Sequence, residues 1–221
     1  MGRGDEAAFI AANTALAAPP HVPEIRLHLA TDALPLWHKT EEELDAAGLP
    51  LPFWAFAWAG GQALARHVLD NPDLVRGRQV LVFAAGSGLE AIAACRAGAA
   101  AVVATDIDAF ARSAMVLNAA ANGVGFEITA MDVLAAPFAA LQPRPDVVLL
   151  GDVFYEKPMA ERVATWAAQA LAAGANVLVG DPGRSYLPKD RLVALAEYRV
   201  PTTLALEDAE VKRTVVWRFL G

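Results

Sequence analysis

One segment, residues 80–108 (VLVFAAGSGLEAIAACRAGAAAVVATDID), constrains the fold of this chain more than any other. Its apolar run Val80–Ala84 is short and rich in β-branched residues, which is typical of a strand buried on both faces of a parallel sheet. Gly86 and Gly88 follow, where the backbone must turn sharply and leave room for a ligand. Asp106 stands twenty positions after Gly86, behind a second predicted strand. The segment therefore predicts a strand–helix–strand unit that binds a nucleoside, with Asp106 on the ribose.

The composition bounds the class of protein. A chain of 221 residues with 56% hydrophobic content can bury a substantial core as one α/β domain. Its net charge of -7 argues against broad binding of nucleic acid, which needs a basic face.

We find neither a membrane-spanning apolar run nor a signal-peptide core, so we expect a cytoplasmic protein. The Ala- and Arg-rich composition suggests a bacterial source. Cys95 cannot form an internal disulfide, and the four histidines lack metal-ligand spacing, so no metal site is predicted.

Strand and helix patterns alternate from residue 79 onward, which predicts a parallel sheet with helices on both faces. The predicted strands are 79–84, 101–105, 125–130, 146–151 and 175–180, and the predicted helices are 89–97, 109–121, 158–172 and 188–197. Two further strands, Thr202–Leu206 and Arg213–Phe219, are joined by a short acidic loop and must be antiparallel. We expect an α/β fold with a doubly wound, seven-stranded, mostly parallel sheet that is closed by a C-terminal antiparallel hairpin.

The first fifty residues are richer in proline and less regular. A helix is predicted at 5–16, a strand at 25–30 and a second helix at 40–47, the last from the capping-box spacing of Thr40 and Glu43. We expect residues 1–50 to form an N-terminal extension packed on a core domain of residues 51–221.

The glycine turn alone fits a dinucleotide as well as other nucleosides, because residues 86–91 match G-x-G-x-x-A. Three features favour S-adenosylmethionine instead. The terminal hairpin is typical of class I methyltransferases. Asp132 follows the third predicted strand, where a carboxylate can accept a hydrogen bond from an adenine amino group. Asp152 and Tyr155 follow the fourth strand, at the edge where open α/β sheets bind their ligands.

The candidate residues also have purely structural interpretations, which the sequence leaves open. An aspartate is favoured at helix N-caps and in turns, and a tryptophan buries a large area whether or not it covers a ligand. These alternatives are a helix cap for Asp106, a turn for Asp132, a solvated loop pair for Asp152 and Tyr155, and packing of a helix on the sheet, rather than a lid over adenosine, for Trp54 and Trp58.

Four blocks resemble a known family: PFWAFAWAGGQALARH at 52–67, the glycine segment at 82–88, LLGDVFYE at 149–156 and GDPGRSYLP at 180–188. They are similar to the lysine methyltransferases that act on the electron-transfer flavoprotein β-subunit. That group belongs to the class I "family 16" protein methyltransferases, which carry an Asp/Glu-x-x-Tyr/Phe motif after the fourth strand. Here this motif is Asp152–Tyr155. The resemblance implies a protein-lysine N-methyltransferase that uses S-adenosylmethionine and acts on this flavoprotein subunit.

The resemblance also implies roles for individual residues. Asp152 and Tyr155 would be catalytic. The cofactor would be held by Trp58, Ala84, Gly86, Gly88, Asp106, Ile107, Met131, Asp132 and Gly151. The protein substrate would meet Asp152, Phe154, Tyr155 and Arg184, although Arg184 also suits a turn built by Pro182 and Gly183. The family usually has an acid at the position of Val82 and a glycine at that of Ala84. Loss of that acid removes a hydrogen-bonding anchor near the methionine ammonium of the cofactor, which implies a lower affinity for it.

Two other functions fit the same pattern. The chain could methylate a different substrate, such as a ribosomal protein or a small amine. It could also be a non-catalytic binding module with a degenerate pocket, an idea supported by Val82 and Ala84 and opposed by the intact acids at 106, 132 and 152. We expect a monomer that binds a protein substrate and neither nucleic acid nor a membrane.

Overall fold

The structure of the protein is a computed structural model that describes residues 3–30, 51–202 and 209–220. Within these residues the helices are α1 Arg3–Asn13, α2 Ala59–Asp70, α3 Leu89–Arg96, α4 Ala109–Asn122 and α5 Lys157–Ala172. The strands are β1 Ala15–Ala17, β2 Leu27–Leu29, β3 Gln79–Phe83, β4 Ala101–Thr105, β5 Glu127–Thr129, β6 Val147–Gly151, β7 Asn176–Asp181, β8 Leu192–Pro201 and β9 Val211–Phe219. Short 3-10 helices lie at Phe53–Ala55, Pro72–Leu74, Val133–Ala135, Phe138–Ala140 and Lys189–Arg191.

Seven strands form one sheet in the order β5-β4-β3-β6-β7-β9-β8. The pairs from β5 to β7 are parallel, whereas β9 is antiparallel to both β7 and β8. The chain builds outward from β3 to β5 and then crosses to β6 on the other side of β3. Open α/β sheets bind ligands where the strand order reverses in this way, outside the carboxyl ends of the strands. The predicted doubly wound, seven-stranded sheet with an antiparallel C-terminal hairpin is confirmed, and its switch point lies between β3 and β6.

The central strands are buried on both faces, as their apolar runs predict. In β3, Leu81 packs with the cluster that α5 covers, while Val80 and Val82 pack on the opposite face with residues of α2 and α3. This two-sided core holds the carboxyl end of β3 in a fixed position.

The last predicted helix is wrong. Residues 188–197 form the short 3-10 helix at 189–191 and then the strand β8, which extends to Pro201 and pairs with β9 from Leu192 to Pro201. The predicted partner strand at 202–206 is therefore displaced, and residues 203–208 lie outside the described part of the chain. Ala, Leu and Glu favour a helix here, but pairing with β9 and packing against α2 override that propensity, and Val200 is fully buried.

The described part of the N-terminal segment, residues 3–30, contacts the rest of the chain. Helix α1 lies against α4, where Ile10 is fully buried in a cluster that also contains Trp54 and Phe110. Strands β1 and β2 pair with each other in a separate two-stranded sheet. The predicted helix at 40–47 lies outside the described residues, and the domain boundary at residue 50 stays a prediction. No helix in the described ranges is long and apolar enough to cross a bilayer.

Candidate active site

The glycine turn after β3 has the backbone that its sequence predicts. Gly86 and Gly88 have φ values of 51° and 82°, in the left-handed region that favours glycine. A Cβ on Gly86 would meet only Trp54 Cα, at 3.8 Å, so its missing side chain leaves open space. A Cβ on Gly88 would instead press on Met115 Cγ of α4, at 3.0 Å. The space beside Gly86 is therefore open, whereas the missing side chain of Gly88 lets the turn pack on α4.

Ala84 occupies the same turn with a strained backbone, at φ 48°. A left-handed conformation costs an alanine about 1–2 kcal/mol, part of which glycine returns through its freer unfolded chain. We expect Ala84→Gly to raise the free energy of unfolding by roughly 0.5–1 kcal/mol. Urea unfolding measures it, with Ala85→Gly as the matched control, because Ala85 is buried and has no positive φ. Equal destabilisation by both changes would contradict the expectation.

Asp106 binds the glycine turn rather than capping a helix. Its Oδ2 accepts a hydrogen bond from the backbone N–H of Gly86 at 2.9 Å, and its Oδ1 accepts one from the N–H of Asp108 at 3.0 Å. Asp108 is the cap of α4, since its carboxylate accepts from the N–H of Phe110. Burial raises the pKa of Asp106, and these two backbone donors oppose the rise. The carboxylate is thereby fixed beside Gly86 at the carboxyl edge of the sheet.

The predicted adenine residues lie farther along the same edge. Asp132 caps the short helix at Val133–Ala135 by accepting from the N–H of Leu134 at 3.0 Å, and it forms an ion pair with Arg162 at 3.2 Å. The turn interpretation of Asp132 therefore describes its contacts in this structure. Ile107 is 76% exposed and Met131 is 44% exposed, so two large apolar side chains stand in solvent near Asp106 and Asp132. Such exposed side chains are suited to contact the faces of a planar base.

A cleft opens between the glycine turn and the start of α2, with about 330 Å³ of empty space including its mouth. Four of the predicted cofactor residues line it, namely Trp58, Ala84, Gly86 and Gly151. Sequence analysis missed the other lining residues, which are Phe53, Phe56, Ala57, Gly61, Ala85, Ser87, Leu89 and Glu90. Of these, Glu90 is the one ionisable group.

Aromatic side chains form the rim of this cleft. The ring of Phe53 lies 6.0 Å from that of Trp58 and 5.8 Å from that of Tyr155. The indole Nε1 of Trp58 donates a hydrogen bond to the carbonyl of Phe53 at 3.0 Å, which fixes the ring. Tyr155 is 46% exposed. The guanidinium of Arg184 lies 5.7 Å from the Trp58 ring centroid, so the rim already accommodates a cation.

Asp152 connects three parts of the site. Its Oδ2 accepts hydrogen bonds from the backbone N–H groups of Gly60 and Gly61 in the first turn of α2. Its Oδ1 accepts from Nε and Nη2 of Arg184, at 2.9 and 2.7 Å. The residue is 8% exposed and has a φ of 55°, so the solvated-loop interpretation of Asp152 is wrong. The carboxylate holds the start of α2 and the arginine together at the tip of β6.

The loop after β7 explains how Arg184 reaches Asp152. Asp181 Oδ1 accepts from the backbone N–H groups of Gly183 and Arg184, at 2.6 and 2.7 Å, and Gly183 has a φ of 97°. The predicted turn is therefore present, and it aims the Arg184 side chain at the neighbouring strand tip.

Phe154 requires a correction. Its side chain is fully buried in the main core cluster with Val153 and Leu187, so it is not a substrate-contacting residue. Consecutive residues after a strand cannot all face the same side, and here Phe154 turns inward while Tyr155 turns to the rim. The part of the chain that the structure describes holds no group of three or more His, Cys, Asp or Glu placed to bind a metal.

Comparisons with known proteins agree on the class of this fold. The family described as ribosomal protein L11 methyltransferase (PrmA) matches residues 63–149. A putative methyltransferase solved in complex with SAH superposes with a TM-score of 0.52 at 14% identity, covering 73% of this chain and 50% of that one. This likeness supports the class I methyltransferase fold.

Two curated relatives are much more similar in sequence, and both are named electron transfer flavoprotein beta subunit lysine methyltransferase. The protein of Rattus norvegicus is 37% identical over 203 residues, which is 89% of this chain and 77% of the relative. That of Homo sapiens is 35% identical over 219 residues, or 96% of this chain and 81% of the relative. Identity of this degree across nearly the whole chain means that the chain belongs to the electron transfer flavoprotein beta subunit lysine methyltransferase family.

Proposed function

We propose that this protein is an S-adenosylmethionine-dependent protein-lysine N-methyltransferase whose substrate is the electron-transfer flavoprotein β-subunit. The observation that carries the proposal is the cleft at the switch point of the sheet. Its floor is the glycine turn that Asp106 holds, and its rim is the aromatic group of Phe53, Trp58 and Tyr155 beside Asp152. A nucleoside site and a cation-accepting rim meet in one place.

The residues of the cleft fit S-adenosylmethionine. Gly86 leaves open the space that its side chain would fill, and Glu90 is a buried acid that suits a positively charged ligand group. Each oxygen of Asp106 accepts one hydrogen bond from the backbone and has a further acceptor position for a ribose hydroxyl. Ile107 and Met131 offer apolar contact beside them. When bound, the cofactor supplies a methyl group on a sulfonium, which a nucleophile attacks in line with the sulfur.

The chain itself must orient the lysine and remove water from around it. A lysine ammonium has no lone pair, so the amine must lose its proton before it reacts, and solvent at the open mouth is the acceptor. Asp152 would accept a hydrogen bond from the amine in place of one from Arg184. Tyr155 and Trp58 would cover the lysine with their ring faces, an attraction of about 0.5–2 kcal/mol for the charged form. Positioning of this kind is the main contribution required for a direct displacement.

The substrate assignment is tested by methylation of purified proteins. The full chain is incubated with isotope-labelled S-adenosylmethionine and either the flavoprotein β-subunit or ribosomal protein L11, and the products are analysed by mass spectrometry. We expect label on lysine side chains of the flavoprotein subunit, as the names of the relatives suggest. A chain with Asp152→Asn serves as the control.

A ribosomal substrate is the second candidate, because the L11 methyltransferase family matches residues 63–149. That match covers the glycine turn and residues 147–149 of β6. It begins after Phe53 and Trp58 and ends before Asp152, so it contains part of the cofactor side of the site and none of the rim aromatics. Label on L11 in the same assay, with none on the flavoprotein subunit, would overturn the proposed substrate and leave the methyltransferase assignment intact.

A further inference from the structure

Glu90 is the buried acid of the cleft, and nothing in its family motif assigns it a role. It lies in the first turn of α3 and is 7% exposed. Its carboxylate occupies the space between Gly61 of α2 and Gly151 of β6. A Cβ on Gly61 would stand 2.9 Å from Glu90 Oε1, and a Cβ on Gly151 would overlap the same oxygen. The two glycines thus leave a space, open to the cleft, that the Glu90 carboxylate fills.

The charge of Glu90 is not balanced within the described residues, where it forms no ion pair. Burial raises the pKa of Glu90 to about 7, its own backbone N–H opposes this rise, and repulsion from Asp152 adds to it. Asp152, which follows β6 directly, is the charged group that faces Glu90 there, and Asp152 is already paired with Arg184. An ionised carboxylate held in this way is costly unless a ligand brings a positive charge to it.

The position of Glu90 matches a departure in the sequence. The resemblance described above implies an acid at the position of Val82, and here Val82 is 1% exposed and packed in the apolar core. Glu90 stands eight residues later, on the other side of the same glycine turn. The cleft that Gly86 lines therefore still holds one carboxylate, but it is supplied by α3 instead of β3.

We propose that Glu90 binds the α-ammonium of the methionine part of the cofactor, taking over the task of the acid that is missing at Val82. This inference rests on the proposed function. The recognised chemistry is a primary aliphatic ammonium, which the substrate lysine also carries, so the test must separate the two sources.

Binding of two ligands to the protein without substrate makes this separation. S-adenosylhomocysteine carries the ammonium, whereas 5′-methylthioadenosine has the same nucleoside and thioether without the amino-acid part. For Glu90→Gln we expect the Kd of S-adenosylhomocysteine to rise by about 10- to 100-fold, as for loss of a hydrogen bond to a charged group, and the Kd of methylthioadenosine to stay within about twofold. Glu127→Gln, at an exposed acid of β5, is the matched control.

Glu90→Gln should weaken ligand binding but stabilise the ligand-free fold at high pH. The folded state holds the Glu90 proton up to a pKa of about 7, against an ordinary value of 4.5, so stability falls as the pH rises through this range. Glu90→Gln removes this dependence, and the ligand-free variant should unfold at a higher temperature than the unmodified chain at pH 8. Affinity of the unmodified chain for S-adenosylhomocysteine should rise several-fold from pH 6 to pH 7.5, since the carboxylate must be ionised, and that of Glu90→Gln should stay flat.

Three results would overturn the inference. An equal rise in the Kd of both ligands for Glu90→Gln would show that Glu90 only shapes the cleft. Unchanged binding of both, with a raised KM for the protein substrate, would assign Glu90 to the substrate lysine. In both cases methylation by the unmodified chain would still support the proposed function. Failure of the unmodified chain to bind S-adenosylhomocysteine would remove the proposed function and this inference together.

Discussion

Replacing Asp152 with asparagine is expected to reduce the rate of lysine methylation by about 100-fold at saturating S-adenosylmethionine, the loss that misplacement of a reacting group can cause. Asparagine tolerates the left-handed backbone found at this position, where φ is 55°. Its side-chain oxygen still accepts from the N–H groups of Gly60 and Gly61, so the start of α2 stays in place. The Kd of S-adenosylhomocysteine should therefore change by no more than about threefold, which corresponds to a change of about 0.7 kcal/mol in the binding free energy. Steady-state kinetics and calorimetry measure the two quantities.

Arg184→Gln is the control that separates the two roles of Asp152. If the carboxylate acts mainly through Arg184, removing the guanidinium should lower the methylation rate as much as Asp152→Asn does. If the carboxylate itself orients the amine, Arg184→Gln frees an acceptor position and costs less than about tenfold, which is the result we expect. A methylation rate of Asp152→Asn close to that of the unmodified chain would show that Asp152 is a structural connector only.

The parts of the fold that follow from local patterns could be predicted from the sequence. Strand β3, the glycine turn, helix α3 and strand β4 lie within thirty residues, and each is marked by its own residues: a β-branched run, two glycines and small helix formers. Strand β8 could not be predicted in this way. Its residues Ala194, Leu195 and Ala196 prefer a helix, and only pairing with β9 makes them a strand.

The same division holds for the candidate site. Gly86 and Asp106 are linked through adjacent strand ends, so the parallel pairing of β3 and β4 brings them together wherever such a unit forms. The contact of Asp152 with Arg184 joins residues thirty-two positions apart. The contact depends on the pairing of β6 with β7. The GDPGR block predicts a turn but does not indicate the direction of the Arg184 side chain. If both motifs are placed at the ends of neighbouring strands, an ion pair between Asp152 and Arg184 can be predicted.

Glu90 was missed for a different reason. A glutamate in the first turn of a helix is ordinarily a favourable exposed residue, because it complements the helix dipole. Its burial follows from two glycines on other elements, Gly61 and Gly151, which leave the space that it fills. The signal that could have identified it is the pairing of a missing acid at Val82 with an added acid eight residues later.

Replacing Asp106 with asparagine is expected to act on cofactor affinity first. Each carboxylate oxygen accepts one backbone N–H, from Gly86 or from Asp108, and has one acceptor position left for the two ribose hydroxyls. An amide in its place turns an NH₂ group toward one of these backbone donors and loses the charge. Hydrogen bonds to a charged group contribute about 1.5–3 kcal/mol, so the Kd of S-adenosylhomocysteine should rise by roughly 10- to 150-fold. Calorimetric titration measures it.

Asp132→Asn is the matched control for this prediction, because it makes the same chemical change at the same edge of the sheet. Asp132 is exposed, caps a short helix and pairs with Arg162, and exposed ion pairs contribute at most about 1 kcal/mol. Its replacement should raise the Kd of S-adenosylhomocysteine by less than about fivefold. Saturating S-adenosylmethionine should restore most of the methylation rate of Asp106→Asn, since that residue lies at the ribose and not at the lysine. Equal affinity of Asp106→Asn and the unmodified chain would contradict the ribose role, and a larger loss for Asp132→Asn would move the main anchor of the nucleoside from the ribose to the adenine.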